Sequence, residues 1–218
     1  MQAIRRPRVK ICCIASLAEA RLAVAYGASA LGLVSRMPSG PGVISEAQIT
    51  EIGASIPPGV ASFLLTCEQD TNDIIAQQKR CRTNTLQIVD RLTHGSYDDL
   101  RRALPGIGIV QVIHEVDPQS VEEACGVAPH VDAILLDSGN PSLKVKELGG
   151  TGRRHNWALS RQIRERANVP IFLAGGLNPG NVRQAIEEVA PFGLDICTGV
   201  RTNGHLDEAK LTALFSAL

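Results

Sequence analysis

Two adjacent cysteines, Cys12 and Cys13, lie in a short apolar run that reads VKICCIA. Side chains alternate between the two faces of a β-strand, so a strand here would turn Lys10 and Cys12 to one face and Cys13 to the other. A nearby ammonium favours the thiolate, which is the form of cysteine that acts as a base or nucleophile. The pattern makes Cys12 a candidate catalytic base and predicts that Cys13 packs against the outer helices or the turn. The alternative is that both are small core residues.

Three further polar residues stand in or at the ends of other apolar runs. Asp137 ends AILLD, where a carboxyl group in a closed cavity could act as a general acid, although an aspartate after a strand is more often a turn or cap residue. Asp195 lies in LDICTGV, and a buried ion pair with Lys10 is one explanation for it. His114 ends IGIVQVIH and is either a second acid or base or a core histidine, which we favour.

Glycine-rich segments follow three of the runs and predict a phosphate site. Consecutive glycines let backbone N–H groups approach an anion closely, and a helix N-terminus adds a partial positive charge. The segment LAGGLNPGNV predicts such a helix, with its first turn at Pro179. The predicted phosphate-binding residues are Gly149, Gly150, Thr151, Gly152, Gly175, Gly176, Thr198 and Gly199.

The elements that would position these residues are short apolar runs alternating with amphipathic segments. The predicted strands are 9–15, 30–35, 60–66, 85–90, 107–114, 133–138, 170–175 and 194–200. The predicted helices are 16–27, 45–56, 70–82, 96–104, 118–128, 157–168, 179–190 and 207–217. Near-continuous apolar strands favour a parallel sheet covered by helices.

Two α/β architectures hold this many strand–helix units. A doubly wound open sheet would carry GxGxxG after its first strand, and that motif is absent here. We therefore predict a single domain over 1–218 with the fold of a (β/α)8 TIM barrel, its strands parallel. In that fold the chemistry lies at the carboxyl ends of the strands.

Composition narrows the function classes. Lys and Arg together number 22, as do Asp and Glu, and only 3% of residues are aromatic, which predicts no nucleic-acid partner. The six cysteines include no CxxC pair, which predicts no metal site and free thiols in a reducing compartment. Because neither a secretory signal nor a membrane-spanning apolar stretch is evident, we expect a cytoplasmic protein with no membrane partner.

The motifs that carry these residues resemble those of the phosphoribosylanthranilate isomerase family of tryptophan biosynthesis. VKICCIAS is similar to the family's KICGIT opening, and DAILLDS, GGTG, PIFLAGGLNPGNV and FGLDICTGV match later landmarks in the same order. The resemblance implies a (β/α)8 barrel that converts N-(5-phosphoribosyl)anthranilate to the 1-deoxyribulose 5-phosphate aminoketose by an Amadori rearrangement, without cofactor or metal. It implies that Cys12 is the base, that Asp137 is the acid, and that the substrate is a small phosphorylated amino sugar.

Three departures from the family motifs fall around the expected site. Where the family has SPRYVS, this chain has SGPGVIS, which lacks the arginine for the anthranilate carboxylate. Where the family has QLHG, this chain has QIVD, without the histidine and ending in Asp90. Where the family has SSGVE, this chain has CTGVR, with Arg201 in place of an acid. The cation that binds a substrate carboxylate in place of the missing arginine could be Arg36, Arg153, Arg154 or Arg201. The predicted substrate-binding residues are Lys10, Arg36, His114, Arg153 and Asp195.

Two other functions stay open at this point. One is a barrel paralogue that isomerises or epimerises a different phosphorylated amino sugar, which the lost arginine favours. The other is a non-catalytic barrel that binds a phosphorylated ligand, and the retention of both Cys12 and Asp137 argues against it. Members of the family occur as monomers and as dimers, so a homodimer is one expected assembly.

Overall fold

Eight parallel strands close into a barrel in a computed structural model that describes residues 6–114, 117–139, 146, 148 and 156–218. Each strand pairs with the next in sequence, and the last pairs with the first. The strands are β1 (Arg8–Ile11), β2 (Ala30–Val34), β3 (Ala61–Thr66), β4 (Thr85–Ile88), β5 (Gly108–His114), β6 (Ala133–Asp137), β7 (Ile171–Leu173) and β8 (Gly193–Ile196). The predicted (β/α)8 barrel is confirmed.

Helices follow the strands and cover the outside of the barrel. They are α1 (Leu17–Ala25), α2 (Glu46–Ser55), α3 (Thr71–Cys81), α4 (Tyr97–Ala103), α5 (Gln119–Val127), α6 (Trp157–Arg166), α7 (Val182–Val189) and α8 (Glu208–Ser216). Short 3-10 turns occupy Ala128–His130 and Thr198–Val200. A two-stranded antiparallel ribbon, β9 (Arg201–Thr202) and β10 (His205–Leu206), precedes α8.

The helix boundaries follow from local capping, and one of them corrects the sequence prediction. Helix α1 begins after Ser16, whose side chain accepts a hydrogen bond from the backbone N–H of Glu19, as an N-cap residue does. Helix α7 begins at Val182 rather than at Pro179, because the preceding residues form a turn. The N–H of Asn178 donates to Oδ1 of Asn181 in that turn.

Strand alternation divides the core into two layers. Leu31 and Leu64 are fully buried between the strands and the helices, whereas Val34 and Leu65 are buried inside the barrel. Burying one such side chain contributes about 1.5–3 kcal/mol, so both layers stabilise the closed sheet. The predicted strands 9–15, 170–175 and 194–200 were too long at their carboxyl ends, where the chain leaves the ladder to form the mouth of the barrel.

Candidate active site

A cavity opens at the carboxyl ends of the barrel strands. Cys12, directly after β1, and Asp137, the last residue of β6, both line it, although 125 positions separate them in the sequence. The cavity is also lined by Gly175 and Gly176 after β7 and by Thr198 after β8. The structure therefore brings the predicted base, the predicted acid and part of the predicted phosphate site to one place.

The two adjacent cysteines are separated by a change in backbone conformation rather than by strand alternation. Strand β1 ends at Ile11, and Cys13 has φ +62°, in the left-handed region that favours glycine. Its side chain lines the same cavity as Cys12 and donates from Sγ to the carbonyl oxygen of Pro41 at 3.6 Å. Of the two predicted environments of Cys13, the outer helical layer was wrong, because the backbone turns here, keeps both thiols at the mouth and packs Cys13 against the loop that contains Pro41.

Lys10 is completely buried inside the barrel below Cys12. Its Nζ donates to Oδ1 of Asp195 at 2.8 Å, which gives the ion pair that the shared strand face suggested. Burial lowers the pKa of Lys10, but attraction to Asp195 and to the Cys12 thiolate outweighs burial and leaves the pKa raised. Lys10 is therefore a fixed ammonium inside the barrel.

Cys12 and Lys10 converge on a glycine in the neighbouring strand. A methyl group added at Gly32 would lie 2.8 Å from Sγ of Cys12 and 3.1 Å from Nζ of Lys10. A hydrogen bond from the Cys13 thiol lowers the pKa of Cys12, and Lys10 lowers it further, while burial and Asp195 raise it; the net direction is down. The lowered pKa favours the thiolate form of Cys12, which is the form that a base requires.

Arg201 holds the backbone of the two cysteines in place. Its Nη2 donates to the carbonyl oxygens of Cys12 at 3.2 Å and Cys13 at 2.6 Å, and its Nη1 donates to Glu19 at 2.8 Å. Glu19 in turn accepts from the N–H groups of Ala15 and Leu206. Arg201 was considered as a cation for the substrate carboxylate, but these contacts commit it to the protein.

The glycines after β7 and β8 form the described part of the predicted phosphate site. Gly175 and Gly176 have φ +79° and +65°, which other residues adopt only with strain, and the amides of Asn178 and Asn181 donate to the Gly176 carbonyl oxygen. Among described residues, the backbone N–H groups of these two glycines have no acceptor. Gly199 does not line the cavity; it lets its loop approach the carbonyl oxygen of Leu177, where a Cβ would not fit.

Several predicted site residues lie elsewhere. Arg36 is exposed in the loop after β2 and does not line the cavity, although Met37 beside it does. His114 also lies outside the cavity lining, with Nε2 2.9 Å from the carbonyl oxygen of Val89. The remaining predictions, Gly149, Gly150, Thr151, Gly152 and Arg153, lie outside the described residues.

Gln87 and Cys197 are among the cavity-lining residues that were not predicted from the sequence. Gln87 in β4 lines the cavity, and its buried Oε1 has no hydrogen-bond partner in the part of the chain that the structure describes. A buried oxygen of this kind needs a donor, which a substrate hydroxyl or amine would supply. Cys197 lines the cavity beside Cys13, with the two sulfur atoms 2.8 Å apart. The alternation of side chains along β4 could have predicted that Gln87 faces inward, because its neighbours Leu86 and Ile88 face the helices.

Over the described ranges, no group of three or more His, Cys, Asp and Glu side chains is arranged to hold a metal ion. None of the helices there has the length and apolar character needed to cross a membrane. The chemistry that the described groups can supply is acid–base chemistry, from a thiol inclined toward thiolate and a carboxyl group across one cavity.

Comparisons with known proteins agree with this geometry. The family model for N-(5'-phosphoribosyl)anthranilate (PRA) isomerase matches residues 9–217. The chain is 32% identical over 206 residues to N-(5'-phosphoribosyl)anthranilate isomerase 2 of Methanosarcina mazei, covering 94% of this chain and 90% of that one.

Solved structures of similar proteins share the fold. One is a phosphoribosyl anthranilate isomerase in complex with reduced 1-(o-carboxyphenylamino)-1-deoxyribulose 5-phosphate, at TM-score 0.78 and 26% identity, covering 97% of this chain and 98% of that one. Another contains mutually generated monomers of the dimeric enzyme from Thermotoga maritima, at TM-score 0.76, 25% identity and the same coverage. By the extent of the family match and the identity to its relatives, this chain belongs to the N-(5'-phosphoribosyl)anthranilate isomerase family.

Proposed function

We propose that this chain isomerises N-(5'-phosphoribosyl)anthranilate to the 1-deoxyribulose 5-phosphate aminoketose, a step of tryptophan biosynthesis. The observation that carries the proposal is that Cys12 and Asp137 line one cavity at the carboxyl ends of β1 and β6. The solved relative that holds a reduced 1-deoxyribulose 5-phosphate compound supports the same class of substrate.

The reaction needs one acid and one base. In the proposed mechanism, Asp137 donates a proton to the ribose ring oxygen, which opens the ring to a Schiff base. The Cys12 thiolate then removes the proton from C2, and the resulting enolamine tautomerises to the ketone. Each positioned group contributes about 10²–10⁴-fold to the rate. Lys10 and the Cys13 thiol support this assignment, since both favour the thiolate of Cys12.

The substrate phosphate is assigned to the glycine loops. Gly175, Gly176 and Thr198 line the cavity and offer backbone N–H groups, and Gly199 allows the two loops to approach each other. The proposal includes Gly149–Gly152, which lie outside the described residues. Backbone N–H donors suit a phosphate because they carry partial positive charge without a mobile side chain.

The anthranilate carboxylate needs a cation. No lysine or arginine is among the described residues that line the cavity: Lys10 lies below it, and Arg201 lies outside its lining and is bound to Glu19. The proposed partners that remain are Arg36, Arg153 and Arg154. Replacing each with Met in turn distinguishes them. Replacement of the arginine that binds the carboxylate should raise KM by about 10–100-fold with little change in kcat, because a charge-assisted contact with the substrate is lost.

This same scarcity of cations favours a second candidate, a phosphorylated amino sugar whose nitrogen substituent carries no carboxylate. The apolar wall formed by Val34, Met37, Leu65, Val89 and Leu148 suits such a substituent.

One experiment tests both candidates. Loss of phosphoribosylanthranilate fluorescence is followed with the purified chain, and other phosphorylated aminoaldoses are supplied in parallel. Turnover of phosphoribosylanthranilate supports the first candidate. Turnover of another aminoaldose alone supports the second, and no turnover of any contradicts both.

The assembly and location are also proposals. Because the Thermotoga maritima relative is described as dimeric, we extend a homodimer to this chain. Light scattering during size-exclusion chromatography tests this, and a mass of one chain contradicts it. A cytoplasmic location agrees with six free cysteines.

A further inference from the structure

We propose that Cys13 and Cys197 form an oxidation site, in which peroxide joins the two thiols in a disulfide between the neighbouring β1 and β8 loops at the mouth of the cavity. Their sulfur atoms are 2.8 Å apart, and a disulfide bond is ~2.05 Å long, so a shift of less than about 1 Å would bring them to bonding distance. The residues are 184 positions apart and lie in the loops after β1 and β8. Both line the cavity, which gives a small oxidant a route to them.

Neither thiol is assigned a step in the proposed isomerisation. The family motifs quoted above carry Gly at the position of Cys13 and Ser at the position of Cys197, so this chain has replaced both with thiols that touch. The replacement at Cys13 places a side chain at φ +62°, which is strained for any residue but glycine. That placement directs its sulfur toward the β8 loop.

The two thiols differ in access. Cys197 is partly exposed, whereas Cys13 is 5% exposed and has its pKa raised by the neighbouring Cys12 and Cys197 thiols and by burial. Peroxide therefore meets Cys197 first. Cys13 lies in contact with Cys197 and is the thiol that then attacks the oxidised Cys197 sulfur.

The chemistry balances with hydrogen peroxide as the oxidant. The sulfur of Cys197 attacks one peroxide oxygen: an S–O bond forms, the O–O bond breaks, and the released hydroxide takes the thiol proton to become water. The sulfur of Cys13 then attacks the sulfenic sulfur of Cys197: the S–S bond forms, and the departing hydroxide leaves as water with the Cys13 proton. Two thiols and one peroxide give one disulfide and two waters.

The consequence for activity rests on the proposed function. Because Cys13 adjoins Cys12 and lowers the pKa of its thiol, the disulfide removes the Cys13 thiol from beside the base and ties its loop to the loop that carries Thr198. Oxidation should therefore lower isomerase activity, and dithiothreitol should restore it.

The test reads the disulfide directly, so it does not depend on the isomerase reaction. The full chain is treated with hydrogen peroxide, free thiols are blocked with iodoacetamide in denaturant, and peptides are mapped by mass spectrometry. We expect a linked pair that joins the peptide containing Cys13 to the one containing Cys197, with two hydrogens lost, and we expect dithiothreitol to abolish it.

Variants distinguish which cysteines react. Cys197→Ser and Cys13→Gly should each abolish the linked pair, and glycine suits the backbone at position 13. Cys12→Ala should leave the link intact, as should the control Cys125→Ser, whose thiol lies outside the cavity. A link that survives Cys13→Gly, or one that disappears in Cys12→Ala, overturns the proposal. So does oxidation that yields only sulfinic acid on Cys12.

Discussion

The two sides of the cavity hold their polar groups differently. On the β1–β8 side, the ion pairs Lys10–Asp195 and Arg201–Glu19 are at most 12% exposed at each side chain. On the β4 side, Asp90 pairs with Lys146, whose side chain is 40% exposed. The proposed base, Cys12, therefore lies beside ion pairs that are shielded from water, whereas the pair on the β4 side has one partner, Lys146, that water reaches.

This difference predicts how each side of the cavity tolerates substitution. The reacting thiol depends on a buried network, in which one change leaves an unpaired charge. The opposite wall is built from apolar side chains such as Leu65 and Val89 and from a pair in which Asp90 is buried but Lys146 is open to solvent, so that loss of Asp90 leaves a lysine that water can hydrate. The four predictions below test that contrast.

The largest effect is expected from removing one partner of the buried pair. Asp195→Asn leaves the Lys10 ammonium buried without its counter-charge and should lower the free energy of unfolding by about 3–5 kcal/mol. Asp90→Asn, on the opposite wall, should cost about 0–1 kcal/mol, because water reaches Lys146. Urea denaturation of both variants measures the difference, and equal losses would remove the distinction between the two sides.

Arg201→Met should destabilise the chain by about 3 kcal/mol, because it removes the counter-charge of Glu19 and the side-chain donor of two backbone carbonyl oxygens. The matched control is Arg166→Met, which breaks an exposed pair with Glu122 and should have no measurable effect. Thermal unfolding of both gives the comparison. A stable Arg201→Met variant would show that the loop after β1 is held by other contacts.

Gly32→Ala should lower kcat by about 10–100-fold and lower the free energy of unfolding by about 1–3 kcal/mol, because the added methyl group overpacks the barrel interior. Its added methyl group meets Sγ of Cys12 at 2.8 Å and must displace the proposed base, and a misplacement of about 1 Å can cost 10²-fold. Gly53→Ala is the control, since a methyl group at that helical position meets nothing within 4 Å. Unchanged kcat in Gly32→Ala would mean that the position of Cys12 does not limit the reaction.

The smallest effect concerns pH. The Cys13 thiol donates to Cys12 and lowers its pKa, so Cys13→Gly should raise the pKa of Cys12. A base must be deprotonated, so the acidic limb of the kcat/KM profile should move to higher pH in this variant. The rate of Cys12 alkylation against pH should shift in the same direction. Cys125→Ser provides the control, and an acidic limb that moves to lower pH would contradict the hydrogen bond.

Much of the fold and part of the site could be predicted from the sequence. Eight apolar runs alternating with amphipathic segments indicated the barrel, and the parity of residues 10 and 195 indicated their ion pair, which the structure confirms. These features depend on the strand period alone. The strand ends could not be predicted, because VKICCIA remains apolar past the residue where the ladder stops.

The remaining features depend on contacts between distant segments. Nothing in VKICCIA indicates that Cys13 adopts a left-handed conformation, and its contact with Cys197 joins residues 184 positions apart. Arg201 resembled a free binding cation because its partner Glu19 belongs to α1, far away in sequence. Gly32 looked like an ordinary strand residue, although its missing side chain makes room for Cys12 and Lys10.

The most direct test of the account is the turnover of phosphoribosylanthranilate by four proteins: the parent chain, Cys12→Ala, Asp137→Asn and the double variant. We predict that each single change lowers kcat by about 10²–10⁴-fold, with KM nearly unchanged and the folded state retained by circular dichroism. The kcat of the double variant should be only slightly lower than that of the less active single variant, because the two groups act in one reaction sequence. Turnover by Cys12→Ala at the parental rate would contradict the account.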